Sequence, residues 1–196
     1  MKWVGLTGGI ATGKSAVAKI LRELGYPVVD ADVLARTVVK PGSKGLKSVT
    51  QVFGPEIILS NGELDRSTLG QIIFSDPAKR IQLEEILHPL IQEQRAHERR
   101  ELERNETEIA FYDVPLLFEK NMQDEFDATV LVYAKPEVQK SRLSERDKIS
   151  ADEVERRLAA QMPIDEKVKL AKYVIINEAG LAELRANVQA VVNDLG

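Results

Sequence analysis

GLTGGIATGKSAV, residues 5–17, is the stretch that decides the fold of this chain. It holds two glycines spaced five apart and followed at once by Lys and Ser, which is the spacing of a phosphate-binding loop. Glycines at these places let the backbone turn tightly and aim successive N–H groups at phosphate oxygens. The fixed positions of the pattern are filled by Gly8, Gly13, Lys14 and Ser15.

The segments on either side give this loop the context that it needs. Residues 2–7 are β-branched and apolar and predict a strand, and residues 15–24 carry apolar side chains at helical spacing. A helix that begins at the loop presents unpaired N–H groups and its positive dipole end to the same anion. The alternative is an ordinary glycine-rich turn whose lysine points outward. The sequence thus favours a nucleotide-binding site at the start of the chain.

Each residue type in the loop has a predicted task. We expect Lys14 to reach the β- and γ-phosphates and to take part in catalysis. We expect the Ser15 hydroxyl to hold Mg²⁺, because a hard cation takes oxygen ligands and is usually shared with phosphates. The residues predicted to surround the ATP phosphates are Gly8, Gly9, Ile10, Ala11, Thr12, Gly13, Lys14, Ser15 and Ala16.

Composition narrows the class of protein. The length of 196 residues suits one domain with a small insert. The 27 basic and 31 acidic side chains give a net charge of −4, so we expect no electrostatic binding to nucleic acid. Cysteine is absent, which fits a reducing compartment, and no leader or long apolar run is visible. We therefore expect a cytoplasmic protein that acts on a small molecule, without a membrane or obligate protein partner.

Two aspartates follow the second predicted strand, residues 26–29. Strand, helix and strand in this order imply a parallel crossover, and ligands of such sheets collect beyond the carboxyl ends of the strands. A carboxylate there can accept the proton of an attacking hydroxyl, but Asp is also a favoured helix N-cap. We expect Asp32 to be the base and Asp30 the cap.

A third strand, residues 109–112, leads into Asp113. An aspartate that closes a buried strand beside a phosphate-binding loop can hold Mg²⁺, directly or through water. It can equally cap a helix that begins there, so both roles stay open at this point. Further strands are predicted at residues 128–133 and 173–176. The chain is therefore expected to be an α/β protein with a five-stranded parallel sheet flanked by helices.

Several arginines lie between the predicted strands at residues 128–133 and 173–176. Arg142 and Arg146 are four residues apart and share a helix face. Guanidinium groups on a mobile flap can neutralise the charge that spreads over a phosphoryl group during its transfer. Alternatively, they are surface arginines. Such arginines would pair with nearby acidic residues, which are Glu137, Glu145, Asp147 and Glu153.

At this point the chain resembles the dephospho-CoA kinase family over nearly its whole length. The phosphate loop fits very many functions, whereas the further motifs, in this order and at these separations, make the resemblance specific. These segments are GLTGGIATGKS at 5–15, VVDAD at 28–32, HPLI at 88–91, DVPLLFE at 113–119, the cluster Gln139, Arg142, Arg146 and Asp147, AAQ at 159–161 and VIIN at 174–177. One departure is Ala11, where the family frequently has glycine.

The resemblance implies phosphoryl transfer from ATP to the ribose 3′-hydroxyl of dephospho-CoA, with Mg²⁺. It implies one P-loop domain over residues 1–196, a helical substrate-binding insert at about 62–105 and a lid at about 140–163. Within these, Asp32 would be the base, and Arg142 and Arg146 would act from the lid. Asn177 would approach the adenine of ATP. The substrate would be contacted by Asp32, His88, Pro115 and Leu116.

Two other functions remain in view at this stage. A nucleoside monophosphate kinase would share the loop, the lid and the base, but would depend on AMP, CMP or UMP. A nucleotide-binding switch protein would hydrolyse slowly and need no acceptor, whereas an acceptor-side aspartate and an arginine lid favour transfer to a bound hydroxyl.

Overall fold

The computed structural model describes all of residues 1–196, and a five-stranded parallel sheet organises it, as predicted. The sheet order is β2-β3-β1-β4-β5. Because β1 is central, its carboxyl end lies where the strand order changes direction, which is where open parallel sheets bind ligands. The strands are β1 (Lys2–Gly8), β2 (Val28–Asp30), β3 (Ile109–Asp113), β4 (Ala128–Tyr133) and β5 (Tyr173–Ile176).

The register of the sheet fixes which residues end side by side. Leu6 of β1 is opposite Asp113 of β3, and Gly8 of β1 is opposite Val132 of β4. The strands read as continuous apolar runs because helices cover both faces. The loop that follows Gly8 therefore begins between two buried neighbours.

The chain divides into two compact units. The first, residues 1–29 and 106–196, contains the sheet, and its core joins Val4 and Leu6 of β1 to helices at both ends of the chain. None of the helices in the structure has both the length and the apolar composition needed to cross a membrane. The helices of the first unit are α1 (Lys14–Glu23), α6 (Pro136–Asp147), α7 (Ala151–Ala159), α8 (Ile164–Leu170) and α9 (Leu181–Leu195), with a 3₁₀ turn at Gln123–Glu125.

The second unit, Asp30–Asn105, is helical and has its own core. Val49, Phe53 and Ile57 are buried in it, against apolar side chains of the later helices. It contains the whole of the predicted insert at about 62–105 and begins earlier, at Asp30. That this insert binds substrate stays a prediction. The helices are α2 (Ala31–Thr37), α3 (Lys44–Phe53), α4 (Arg66–Ser75) and α5 (Pro77–Arg104), with a 3₁₀ turn at Pro55–Ile57.

Candidate active site

The loop after β1 has the backbone that anion binding needs. Gly13 has φ 89° and Ala11 has φ 59°, both in the left-handed region. A Cβ at Gly13 would lie 2.1 Å from the side-chain nitrogen of Asn177, so only glycine fits there. Gly13 is also the N-cap of α1 and offers no side chain to the first N–H groups of the helix. The N–H groups that precede the first helical bond, which Ala16 donates to the oxygen of Gly13, are available to an anion.

A cavity of about 640 Å³ opens over this loop. We call it the loop cavity, and all of its walls belong to the first unit. It gathers the loop backbone with one lysine, two arginines and one glutamate, so cationic side chains outnumber anionic ones in its walls. Its lining consists of Gly8, Gly9, Ile10, Ala11, Gly13, Lys14, Ser15, Pro115, Arg142, Glu145, Arg146 and Gln161.

Lys14 and Asp113 form an ion pair beside this cavity. Asp113 is the last residue of β3 and is only 4% exposed. No helix begins there, since the next helical turn starts at Gln123, so the helix-cap alternative for Asp113 is wrong. A carboxylate held at the end of a buried strand remains suited to a hard cation. Metal binding by Asp113 and Ser15 stays a prediction.

The two arginines of α6 both line the loop cavity. Arg142 Nη1 donates to the backbone oxygen of Asn177 at 3.0 Å. Arg146 donates to both carboxylate oxygens of Asp147, at 2.7 and 3.1 Å. The surface-pair alternative therefore describes one contact of Arg146, while both guanidinium groups also lie where phosphates are expected.

Asp147 connects α6 to α7, the two helices in the region predicted to be a lid, and that role stays a prediction. The hydrogen bonds from Arg146 are the main cause that holds the pKa of this carboxyl below its ordinary value, and Arg157 of α7 adds to the effect. Arg157 Nη1 lies 2.6 Å from Asp147 Oδ2. The same bonds raise the pKa of Arg146. The carboxylate thereby fixes Arg146 and joins α6 to α7.

Asn177 supports the loop from within the protein. It is 8% exposed, and its side-chain nitrogen donates to the backbone oxygen of Thr12 at 2.8 Å. Its backbone N–H donates to the oxygen of Tyr133 at the end of β4. The residue thus ties the end of β5 to the loop. Its predicted contact with adenine stays a prediction.

The predicted residues of the second unit have distinct environments. Asp30 is the N-cap of α2 and accepts from the N–H groups of Asp32, at 2.8 Å, and Val33, at 3.2 Å. The capping role predicted for Asp30 is confirmed. Asp32 lies in the first turn of α2, exposed, with no hydrogen bond or ion pair on its carboxylate. His88 is exposed on α5.

Comparison with known proteins decides the family. A protein-family model described as dephospho-CoA kinase matches residues 2–183. The chain belongs to the dephospho-CoA kinase family. The resemblance inferred from the motifs is therefore confirmed.

Members of the dephospho-CoA kinase family are similar to this chain throughout. The dephospho-CoA kinase of Bdellovibrio bacteriovorus is 48% identical over 98% of this chain and 95% of its own length. That of Listeria monocytogenes is 42% identical over 97% and 96%. Among solved structures, the Campylobacter jejuni dephospho-CoA kinase is 26% identical with a TM-score of 0.76, covering 98% of this chain and 96% of that one. Shikimate kinase from Acinetobacter baumannii, 16% identical with a TM-score of 0.52, shares the fold alone.

The structure also shows contacts of two motif residues, Gln161 and Glu119, for which the sequence predicted no role. Gln161 Oε1 accepts the N–H of Ile10 at 2.9 Å. Glu119 Oε1 lies 2.7 Å from Nζ of the fully buried Lys167 and accepts the N–H of Met162 at 3.1 Å. These contacts join distant parts of the chain. The motifs that carried the resemblance contained Gln161 and Glu119, but spacing could not reveal their partners.

Proposed function

We infer that this chain transfers the γ-phosphoryl group of ATP to the ribose 3′-hydroxyl of dephospho-CoA, giving coenzyme A and ADP. The observation that carries this function is the family match over residues 2–183, which spans both compact units. The loop alone would fit any P-loop kinase, whereas the match includes the segments outside the loop. The reaction completes the biosynthesis of coenzyme A.

Phosphoryl transfer asks the protein for position and charge more than for covalent chemistry. The backbone N–H groups around Gly13 would bind the phosphates, with Lys14 near the β- and γ-phosphates. Arg142 and Arg146 would face the charge that develops on the transferring group. Donors fixed before the reaction cost no reorganisation at the moment of transfer, which is why they are effective. The ion pairs and backbone bonds described above hold several of these groups in advance.

We propose that Ser15 and Asp113 hold Mg²⁺ together with the nucleotide. The structure contains no group of three or more His, Asp or Glu side chains that could bind a metal without further ligands. Mg²⁺ usually binds only one or two protein oxygens and completes its coordination shell with phosphates and water, so Ser15 and Asp113 would be enough. When bound, the ion would neutralise charge on the phosphate oxygens.

We propose Asp32 as the general base that takes the proton of the acceptor hydroxyl. Its support is an exposed carboxylate without a partner, in contrast with Asp30, whose carboxylate already caps a helix. His88, Pro115 and Leu116 are proposed as contacts to the rest of the substrate. Pro115 lines the loop cavity and Leu116 is half-buried beside it in sequence. A cytoplasmic location and independence from nucleic acid, membranes and protein partners remain predictions.

The deciding experiment measures ADP release by the purified protein with ATP and Mg²⁺. The reaction is run without acceptor, with AMP, CMP or UMP, and with dephospho-CoA, and the acceptor is weighed by mass spectrometry. We expect one phosphate to be added to dephospho-CoA, with little turnover elsewhere. Turnover on a nucleoside monophosphate would move the protein to that class of kinase. Slow hydrolysis that ignores every acceptor would instead indicate a switch protein.

A further inference from the structure

Gln161 joins the lid to the phosphate loop. It follows α7 in the sequence, and its side-chain oxygen accepts the N–H of Ile10 at 2.9 Å. It also lines the loop cavity together with Lys14 and Arg142. A neutral polar side chain therefore stands among the cationic groups expected to surround the transferring phosphoryl group.

Hydrogen-bond chemistry determines the orientation of this amide. The Ile10 N–H can only donate, so the atom of Gln161 that faces it must be the oxygen. The two N–H bonds of Nε2 are then directed away from that contact. They have no partner within the protein, and the side chain is half-buried rather than enclosed. Two donors in a fixed amide plane are thus available to a ligand of the loop cavity.

The loop segment that orients Gln161 rests on a packed base. A Cβ added at Gly9 would lie 3.0 Å from Gln139 Oε1 and 3.3 Å from a methyl carbon of Ile164. Gln139 is itself buried and donates to the backbone oxygen of Ala134 at 2.8 Å. The backbone near Ile10 is therefore backed by side chains of α6 and α8, which limits the freedom of the amide that it holds.

We propose that Gln161 is a further catalytic residue, which donates from Nε2 to a terminal oxygen of the γ-phosphoryl group. This inference rests on the proposed function, because it assigns a ligand to the same cavity. Charge spreads over the terminal oxygens of the transferring group, and a donor already oriented by the Ile10 bond meets that charge without reorganisation. The contact also makes the lid sensitive to the third phosphate. ADP, which lacks that phosphate, gains nothing from it.

The test compares Gln161→Met, Gln161→Glu and a control, Gln189→Met. Gln161→Met keeps the length of the side chain and removes both amide functions. Gln161→Glu keeps an acceptor for Ile10 and removes the donor. Gln189 is half-buried on α9, like Gln161 in exposure, and its amide bonds only Asn193, so its replacement reports the general effect of such a change. Single-turnover rates and the dissociation constants of ATP and ADP are measured for each protein.

We expect Gln161→Met to slow the single turnover by about 10²–10³, the usual loss when one donor to developing charge is removed. ATP should bind more weakly, while ADP binding and the control stay at wild-type values. Gln161→Glu should be at least as slow at neutral pH. Its rate relative to wild type should rise as the pH falls, because the protonated carboxyl regains a donor.

Three outcomes would overturn the proposal. Equal weakening of ATP and ADP by Gln161→Met would mean that Gln161 only supports the loop. A wild-type rate for Gln161→Glu at neutral pH would mean that the acceptor alone matters. Unchanged kinetics of Gln161→Met would leave the residue without a role in transfer. The ATP and ADP constants test the contact even if dephospho-CoA proves not to be the acceptor, so the two proposals fail separately.

Discussion

Ala11 holds a backbone conformation that suits glycine, with φ 59°. The left-handed region costs a residue with a Cβ about 1–2 kcal/mol, while glycine loses about 0.5–1 kcal/mol more entropy on folding. We therefore expect Ala11→Gly to raise the free energy of unfolding by about 0.5–1 kcal/mol, measured by urea denaturation. Ala190→Gly, in the exposed interior of α9, should lower it by about 1 kcal/mol. A loss of stability in both variants would contradict this.

Asp32 and Asp30 lie two positions apart, and we expect their substitutions to have very different effects on kcat. Asp32→Asn keeps the size of the side chain and removes the base, so kcat should fall by about 10²–10⁴ while the ATP dissociation constant changes little. Asp30→Asn is the control, because Asn caps a helix about as well as Asp. It should keep both stability and kcat near wild type. The larger kcat loss in Asp30→Asn would reverse the assignment.

At the level of single residues, the sequence predicts whatever depends on local chain geometry. Gly8, Gly13 and Lys14 follow from a fixed spacing, and the capping role of Asp30 follows from its place before a helix. The partners of Asn177 and Gln161 do not, because each bonds a backbone group far away along the chain. The residue type alone does not show whether a side-chain amide bonds a distant loop or faces solvent.

The α8 helix is attached to the segment after β3 by a buried ion pair. Glu119→Ala would leave the Lys167 charge buried without its partner, which typically costs about 3–5 kcal/mol of unfolding free energy. The double variant Glu119→Leu with Lys167→Met should regain most of that stability, since both charges are then gone. Glu166→Ala is the matched control, because its pair with Lys169 is exposed and is worth under about 1 kcal/mol. Equal losses in the two single variants, measured by denaturant unfolding, would contradict the prediction.

The contact between α6 and α7 should depend on pH through Asp147. Its folded-state pKa lies below the ordinary 3.8, chiefly through Arg146, so its stabilisation is fully present above the unfolded pKa and is lost as the pH falls through the folded one. We expect an NMR titration to place the Asp147 pKa below 3.8. Arg146→Gln should raise it more than Arg157→Gln does. A wild-type pKa at or above 3.8 would be evidence against this arrangement.

Whole elements were predictable where they are long or buried. The bounds of β4 and β5 agree with the sequence prediction, because apolar runs mark them. Neither α7 nor α8 was predicted. Both are short and highly charged, and each depends on a single early apolar anchor, Val154 in α7 and Ile164 in α8, that packs only in the folded protein.

On the scale of the whole molecule, the two units can be observed separately. The single tryptophan, Trp3, and all four tyrosines belong to the first unit, whereas the second is helical and has neither residue type. Fluorescence therefore reports the first unit, and far-ultraviolet circular dichroism includes the second. Phe53 is 6% exposed in the second core, and Phe53→Ala should cost about 3–5 kcal/mol there. We expect its thermal transition by dichroism to fall further than that of Trp3 fluorescence; equal shifts would show that the units unfold as one.

The pairing of Leu6 with Asp113 has a consequence for how the chain folds. The whole second unit lies between these two residues in the sequence, so β1 cannot gain its β3 neighbour until a very long loop has closed. Parallel pairings between distant segments form slowly because closure entropy is lost before contacts compensate it. During that interval β1 is an apolar strand with two open edges. Newly made chains are consequently most prone to aggregation before β3 and β4 arrive, and the strand that will carry the phosphate loop is the one that needs protection.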